Sequence, residues 1–304
     1  MIHKESFEVR CADGVRLSGL LIIPESPKAV VQFNGGTAAK KEFYLPFLEY
    51  LAAHDYLCCL WDYRGSGASA PENLSTCTYE LMDYGLQDMP AIKSYLRGRF
   101  PHLPFLFLCH SVGGQQVGFI DELEDVTGMV GFAVSTGYLR HMPWSFFASS
   151  IFFFYLFTPI SIALRGFLAA KRFGIMENLP RGVVTQWRDW CERKDYFFDP
   201  RFYGKSVPKG QFDRLDFPIH IFWTTDDPIS NKQSVPTFWS HIKSRKGIDF
   251  TQIEPKQIKE KEIGHFGFFK KRMRSKLWPL ALTKLEEFLQ RTDSKKNAPL
   301  ESLD

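Results

Sequence analysis

The stretch Phe105-Leu106-Phe107-Leu108-Cys109-His110-Ser111-Val112-Gly113-Gly114-Gln115-Gln116 limits what this chain can fold into more than any other. Its unbroken apolar half, entered through Pro104, predicts a strand buried on both faces, and the change to small residues after Ser111 predicts a sharp turn into a helix. A serine on such a turn projects its hydroxyl beyond the sheet, while the N–H of the next residue, Val112, faces the same point. Small neighbours are needed, because a bulky side chain would strike the adjacent strand or helix. Gly113 meets that need downstream. Upstream, Cys109 stands where the G-x-S-x-G pattern has glycine, a modest increase in size. The stretch reads as a nucleophile elbow, with Ser111 the nucleophile and Val112 an oxyanion donor. The plainer alternative is a polar break at the end of a buried strand.

A strand buried on both faces needs parallel neighbours, and the flanking sequence supplies them. Residues 7–9 and 15–23 surround Ala12-Asp13-Gly14, whose residue types tolerate positive φ, and predict an opening hairpin. Residues 29–33 predict a buried strand that ends in Asn34-Gly35-Gly36-Thr37. Paired glycines let the backbone approach another group closely, so the second oxyanion donor is expected at the Gly36 N–H, against the simpler reading of a turn. Residues 41–54 have helical spacing and residues 56–61 read as the next strand. The glycine-rich Asp62-Tyr63-Arg64-Gly65-Ser66-Gly67-Ala68-Ser69 lacks the Lys-Ser/Thr of a phosphate-binding loop and reads as a structural turn. One amphipathic helix is expected over 79–100 and a buried strand over 128–134. The alternation predicts an α/β protein, with a mostly parallel central sheet, helices on both faces and a site at the carboxyl ends of the strands.

The alternation stops after residue 137 and resumes near residue 211. Residues 144–164 carry no charged side chain, enough apolar length to span a bilayer. A span would strand the later strands across the membrane, so residues 138–210 are read as an inserted helical cap packed over the site, with a cap that also makes peripheral membrane contact as the second reading. A helix over 184–193, with Trp187 and Trp190 one turn apart, belongs to this cap. Residues 1–137 and 211–291 form the two parts of the core, and a tail over 292–304, rich in Lys, Ser, Asn and Pro, is expected to be without structure.

Composition narrows the chemistry. A chain of 304 residues, 44% hydrophobic, can bury one large core, and a formal charge of only +4 gives no reason to expect nucleic acid. The six cysteines lack metal-ligand spacing and several sit in apolar strands, which fits a reducing compartment. The N-terminus has no apolar run of the secretory kind, so a cytoplasmic location is expected. No metal or organic cofactor is called for.

A serine hydroxyl becomes nucleophilic when a histidine takes its proton, and that histidine needs a carboxylate to fix its tautomer. In a fold with a nucleophile elbow the acid follows a late strand and the histidine follows the last one. Residues 218–223 predict the late strand, which exits through Thr224-Thr225-Asp226-Asp227-Pro228. Residues 234–242 predict a helix, and residues 249–253 the last strand, after which comes Gly264-His265-Phe266-Gly267. His265 alone among the histidines has glycines around it in a loop after a strand. Asp227 is preferred as the acid because Pro228 fixes the exit of the loop, with Asp226 the competitor. A closing helix is expected over 277–290. Lys270, Lys271, Arg272, Arg274 and Lys276 follow His265 closely and read as a solvated basic turn at the start of the last helix, with positive charge near the site as the sharper alternative.

On the Asn34-Gly35-Gly36 loop, Asp62 to Gly67, His110-Ser111-Val112-Gly113-Gly114, Asp226-Asp227-Pro228 and Gly264 to Phe269, the chain resembles α/β-hydrolase-fold serine hydrolases. It is similar to the branch of monoglyceride-lipase-like and serine-aminopeptidase-like proteins, and more closely to a bacterial subgroup of unassigned substrate. The resemblance implies Ser111, Asp227 and His265 as the triad, with Val112 and Gly36 as oxyanion donors. The chain departs from the family twice, at Cys109 for glycine and at Asn34 for the common histidine. The expected activity is cleavage of a small-molecule ester or thioester through an acyl-enzyme, with an apolar acyl group under the cap. The rivals are an acyltransferase using the same triad and a binding protein that keeps the fold without catalysis.

Overall fold

The computed structural model describes residues 1–296, with side chains described through Arg291. The strands are β1 (Ile2–Arg10), β2 (Arg16–Pro24), β3 (Ala29–Asn34), β4 (Tyr56–Trp61), β5 (Phe105–His110), β6 (Val126–Phe132), β7 (Phe167–Leu168), β8 (Leu179–Pro180), β9 (Ile219–Thr224) and β10 (Ile248–Ile253). The helices are α1 (Lys41–Ala52), α2 (Met89–Arg99), α3 (Val112–Gln115), α4 (Trp144–Phe152), α5 (Thr158–Arg165), α6 (Arg181–Cys191), α7 (Ser234–Trp239) and α8 (Trp278–Lys296).

The main sheet runs β1-β2-β4-β3-β5-β6-β9-β10. β1 with β2 and β2 with β4 are antiparallel, and every later pairing is parallel. β5 lies inside, and its side chains alternate between two cores. Phe105, Phe107 and Cys109 join the core that holds Met89, Ile92 and Leu96 of α2, whereas Leu106 and Leu108 join the one with Phe47 and Leu51 of α1 and Trp278 and Leu285 of α8. A period of two with both sets apolar is what a central strand between helical layers requires.

Regular α structure in the helix expected over 79–100 begins only at Met89, after a π-type turn over Tyr84–Asp88. Pro90 has no N–H to donate back to the preceding turn, which breaks the regular ladder there. The closing helix runs on to Lys296, into the segment expected to lack structure, while residues 297–304 lie outside the described residues. Between β6 and β9, residues 138–210 contribute α4, α5, α6 and the small antiparallel pair β7-β8, none of it part of the main sheet. A π-type turn over Phe153–Phe157 joins α4 to α5.

Candidate active site

Ser111 follows the last residue of β5 with φ 51° and ψ −119°, a backbone conformation that costs a residue other than glycine about 1–3 kcal/mol. Hydrogen bonds hold it there. Its N–H donates to Phe132 O on β6 at 3.0 Å, and its own carbonyl accepts from Gly114 N–H and Gln115 N–H of α3 at 3.0 and 3.2 Å. The small residues after it are obligatory. A Cβ on Gly113 would lie 2.1 Å from Asn34 O of β3, and one on Gly114 would lie 2.4 Å from Val134 Cγ2.

Cys109 is buried in the sheet and receives a hydrogen bond from Asn34 Nδ2 at 3.7 Å. Cys109 and Asn34, the two positions where the sequence departs from the family pattern, are therefore in contact. Burial pushes the Cys109 thiol pKa up, so it stays protonated.

The structure separates the two adjacent aspartates by role. Asp227, 3% exposed, turns Oδ2 to His265 Nδ1 at 2.7 Å, while its Oδ1 accepts from the N–H groups of Ile229 and Ser230 at 2.8 and 3.0 Å. An acceptor-only carboxylate facing Nδ1 requires the proton to sit on that nitrogen, which leaves Nε2 as the basic one. Asp226 does not meet the ring. Its Oδ2 accepts from Ile263 N–H at 2.7 Å and Gly264 N–H at 3.0 Å, tying down the loop that presents His265. Gly264 turns that loop at φ +62°.

A second histidine, whose role the sequence did not reveal, lies between the site loops. His110 is fully buried. Tyr44 O–H donates to its Nδ1 at 2.8 Å, and its Nε2–H donates to the main-chain oxygen of His265 at 2.9 Å. One ring nitrogen accepting and the other donating is the pattern of a neutral imidazole. Burial, with a smaller contribution from nearby His265, holds the His110 pKa well below 6.5. Tyr44 Oη in turn accepts from Gly36 N–H at 3.0 Å.

That last bond bears on Gly36, expected as an oxyanion donor. The Gly36 N–H is already donated to Tyr44, so it is not free for a reacting oxygen in this structure. Thr37, the next residue, is the one that lines the site cavity.

Ser111 and His265 line one cavity of about 790 Å³, whose wall also includes residues of the insertion such as Met142, Phe146, Phe153 and Trp187. Its walls are mainly apolar. The expected cluster after His265 stays out of this lining. Arg272 donates to Glu262 O and pairs with Glu260, Lys276 pairs with Glu260, and Arg274 lies over the Tyr50 ring. The cationic residues that do line the cavity are Lys40 and Lys171, which share Glu177 at 3.5 and 3.2 Å.

A mostly parallel eight-stranded sheet, helices on both faces and a serine on a strained turn after a central strand define the α/β-hydrolase fold. Residues 25–152 match the family model described as "Serine aminopeptidase, S33". No curated protein matches the chain. Among solved structures it is similar to the esterase Pf2001 of Pyrococcus furiosus at 16% identity and a TM-score of 0.58, covering 95% of this chain and 91% of the other. A protein of unknown function from Staphylococcus aureus subsp. aureus Mu50 is similar at 14% identity and a TM-score of 0.62, with coverage of 93% and 99%. A monoacylglycerol lipase from Paleococcus ferrophilus is similar at 12% identity and a TM-score of 0.56, with coverage of 95% and 99%.

Proposed function

We propose that the protein cleaves carboxylic esters or thioesters through an acyl-enzyme on Ser111. The observation that carries this reading is that a serine on an elbow and the Asp227-bonded His265 line the same apolar cavity. His265 Nε2 takes the proton of the Ser111 hydroxyl as Oγ attacks the carbonyl carbon, and Asp227 stabilises the imidazolium that results. The tetrahedral oxyanion is met by the Val112 N–H and, because Gly36 is engaged, by the N–H of Thr37. His265 then gives its proton to the departing alcohol or thiol. Water enters by the reverse sequence and releases the acid, restoring Ser111.

The cavity volume lies within the range of small-molecule sites, and its phenylalanine-rich wall suits an acyl chain. Each buried methylene is worth about 0.8 kcal/mol, so kcat/KM rises about three- to fourfold per added carbon until the cavity is full. The test is a series of p-nitrophenyl esters of increasing acyl length, with Ser111→Ala as control and fluorophosphonate labelling of both proteins. Wild-type labelling and a loss of roughly four orders of magnitude in turnover for Ser111→Ala support the reading. A flat chain-length profile removes the acyl cavity from it, and unchanged turnover in the variant ends it.

A further inference from the structure

The outer surface of the insertion is apolar where a helix facing water is ordinarily polar. Residues 144–164 contain no Asp, Glu, Lys or Arg. Within them Phe152, Leu156, Ile160 and Leu164 repeat every four residues as an exposed stripe, and Trp144 at its start is 79% exposed. The helix Trp144–Arg165 is long and apolar enough to cross a membrane by length and composition. It is nevertheless fastened along its inner side. Phe154, Thr158 and Ser161 are buried, and Ser161 Oγ donates to Phe167 O at 3.0 Å and accepts from Ala169 N–H at 2.8 Å.

The turn over residues 171–175 lies beside this stripe, with the Phe173 ring 5.4 Å from that of Phe157 and edge-on to it. Phe173 and Ile175 are exposed, and Arg172 stacks on Phe173. Arg165 closes the helix. Neither Arg165 nor Arg172 has a carboxylate partner among the described residues. Phe152 and Ile175, both more than half exposed, also form part of the cavity wall. Part of the wall of the cavity that holds Ser111 therefore belongs to the apolar surface itself.

We propose that this surface docks on a bilayer rich in anionic lipid and that the cavity draws its ester from that bilayer. The docking stands on the surface alone, and the second part rests on the ester-hydrolase reading above. Exposed apolar area of this kind marks an interaction site. An apolar helix face with cations at its border and aromatic rings at its ends is the arrangement that settles at the headgroup level. A second copy of the chain fits the surface less well, because it would cover the part of the cavity wall that Phe152 and Ile175 expose.

The experiment uses the full chain carrying Ser111→Ala, so that vesicle binding is read without turnover. Vesicles of phosphatidylcholine alone and of phosphatidylcholine mixed with phosphatidylglycerol are sedimented with the protein. Binding is expected to the mixed vesicles and to weaken with salt. The triple change Leu156→Glu, Ile160→Glu, Leu164→Glu is expected to weaken it by about tenfold or more. Arg165→Gln and Arg172→Gln are each expected to weaken it about fivefold. The triple change in the otherwise wild-type chain keeps turnover of a soluble p-nitrophenyl ester, which shows that the fold is retained. No binding to mixed vesicles, or binding unchanged by the triple substitution, overturns the docking surface. So does a wild-type dimer that the same substitution makes monomeric, since the surface would then be a contact between copies. Vesicle binding without ester turnover in the wild type refutes the hydrolase reading and leaves the docking intact.

Discussion

Asp227→Asn and Asp226→Asn change neighbouring residues in the same way and should have very different results. At Asp227 the Oδ1 atom is committed to two main-chain donors, Ile229 and Ser230. An asparagine there keeps its oxygen on those donors and must turn its NH₂ toward His265 Nδ1. That nitrogen then becomes the acceptor, the ring proton moves to Nε2, and the base proposed for Ser111 is lost. The expected cost is about 10⁴ in kcat. At Asp226 an asparagine oxygen can still accept from Ile263 and Gly264. What is lost is the charge on the acceptor, about 1–2 kcal/mol across the pair of bonds. Even if all of it appeared in the barrier, the rate would fall only about five- to thirtyfold. Steady-state turnover of a p-nitrophenyl ester, with circular dichroism to confirm folding, separates the two. Comparable losses, or a larger one at Asp226, would refute the assignment of the acid.

Gly113→Ala places a methyl against the carbonyl of Asn34, main-chain atoms of β3 that cannot turn aside, so thermal unfolding should show a loss of about 1–3 kcal/mol or more. Tyr44→Phe leaves the buried Gly36 N–H and His110 Nδ1 without their shared partner. A loss of about 1–3 kcal/mol per orphaned group is expected in a denaturant titration, and an unchanged midpoint would show that the Tyr44 contacts contribute nothing. Stability should fall as pH drops below about 6.5. Burial keeps His110 neutral and lowers His220 to about 4, so the unfolded chain binds more protons through that range. Asp88 opposes the trend between its ordinary 3.8 and about 6, because burial outweighs the attraction of Arg64 and it protonates in the fold first. His220→Gln should therefore lose less melting temperature than the wild type between pH 7 and about 4.5.

The sheet could be read ahead of the structure because each central strand is apolar on both faces and each ends in residues that turn, as Phe105 to Ser111 does. Period and punctuation are local properties of sequence. Contacts made at a distance leave no such trace. Pro90 and Pro159 mark where a regular helical ladder breaks, but neither residue announces that the turn before it, Tyr84–Asp88 or Phe153–Phe157, is of the π type. The cationic residues that follow His265 show a related limit. Closeness in sequence suggested closeness to the cavity, but Glu260 and Glu262 draw Arg272 and Lys276 away, while Lys40 and Lys171 arrive from remote segments.

The oxyanion side of the site shows the same limit at the scale of single bonds. Gly35 and Gly36 identify a loop that comes close to another group, and that group includes Tyr44, from α1, as well as any ligand. Tyr44 and His110 then carry the connection onward to the main chain of His265. The loop after β3, the elbow after β5 and the loop bearing His265 are thus joined through two buried side chains. A change in the position of any one of them is felt by the others, because the neutral tautomer of His110 satisfies one acceptor and one donor and has no spare bond to offer. The contact between Asn34 and Cys109 lies beside this chain. Read singly, each departs from the family pattern, but the thiol that replaces glycine accepts from the amide that replaces histidine. Restoring either family residue alone therefore removes a partner from a fully buried polar group, so the two substitutions are expected to be tolerated better together than apart.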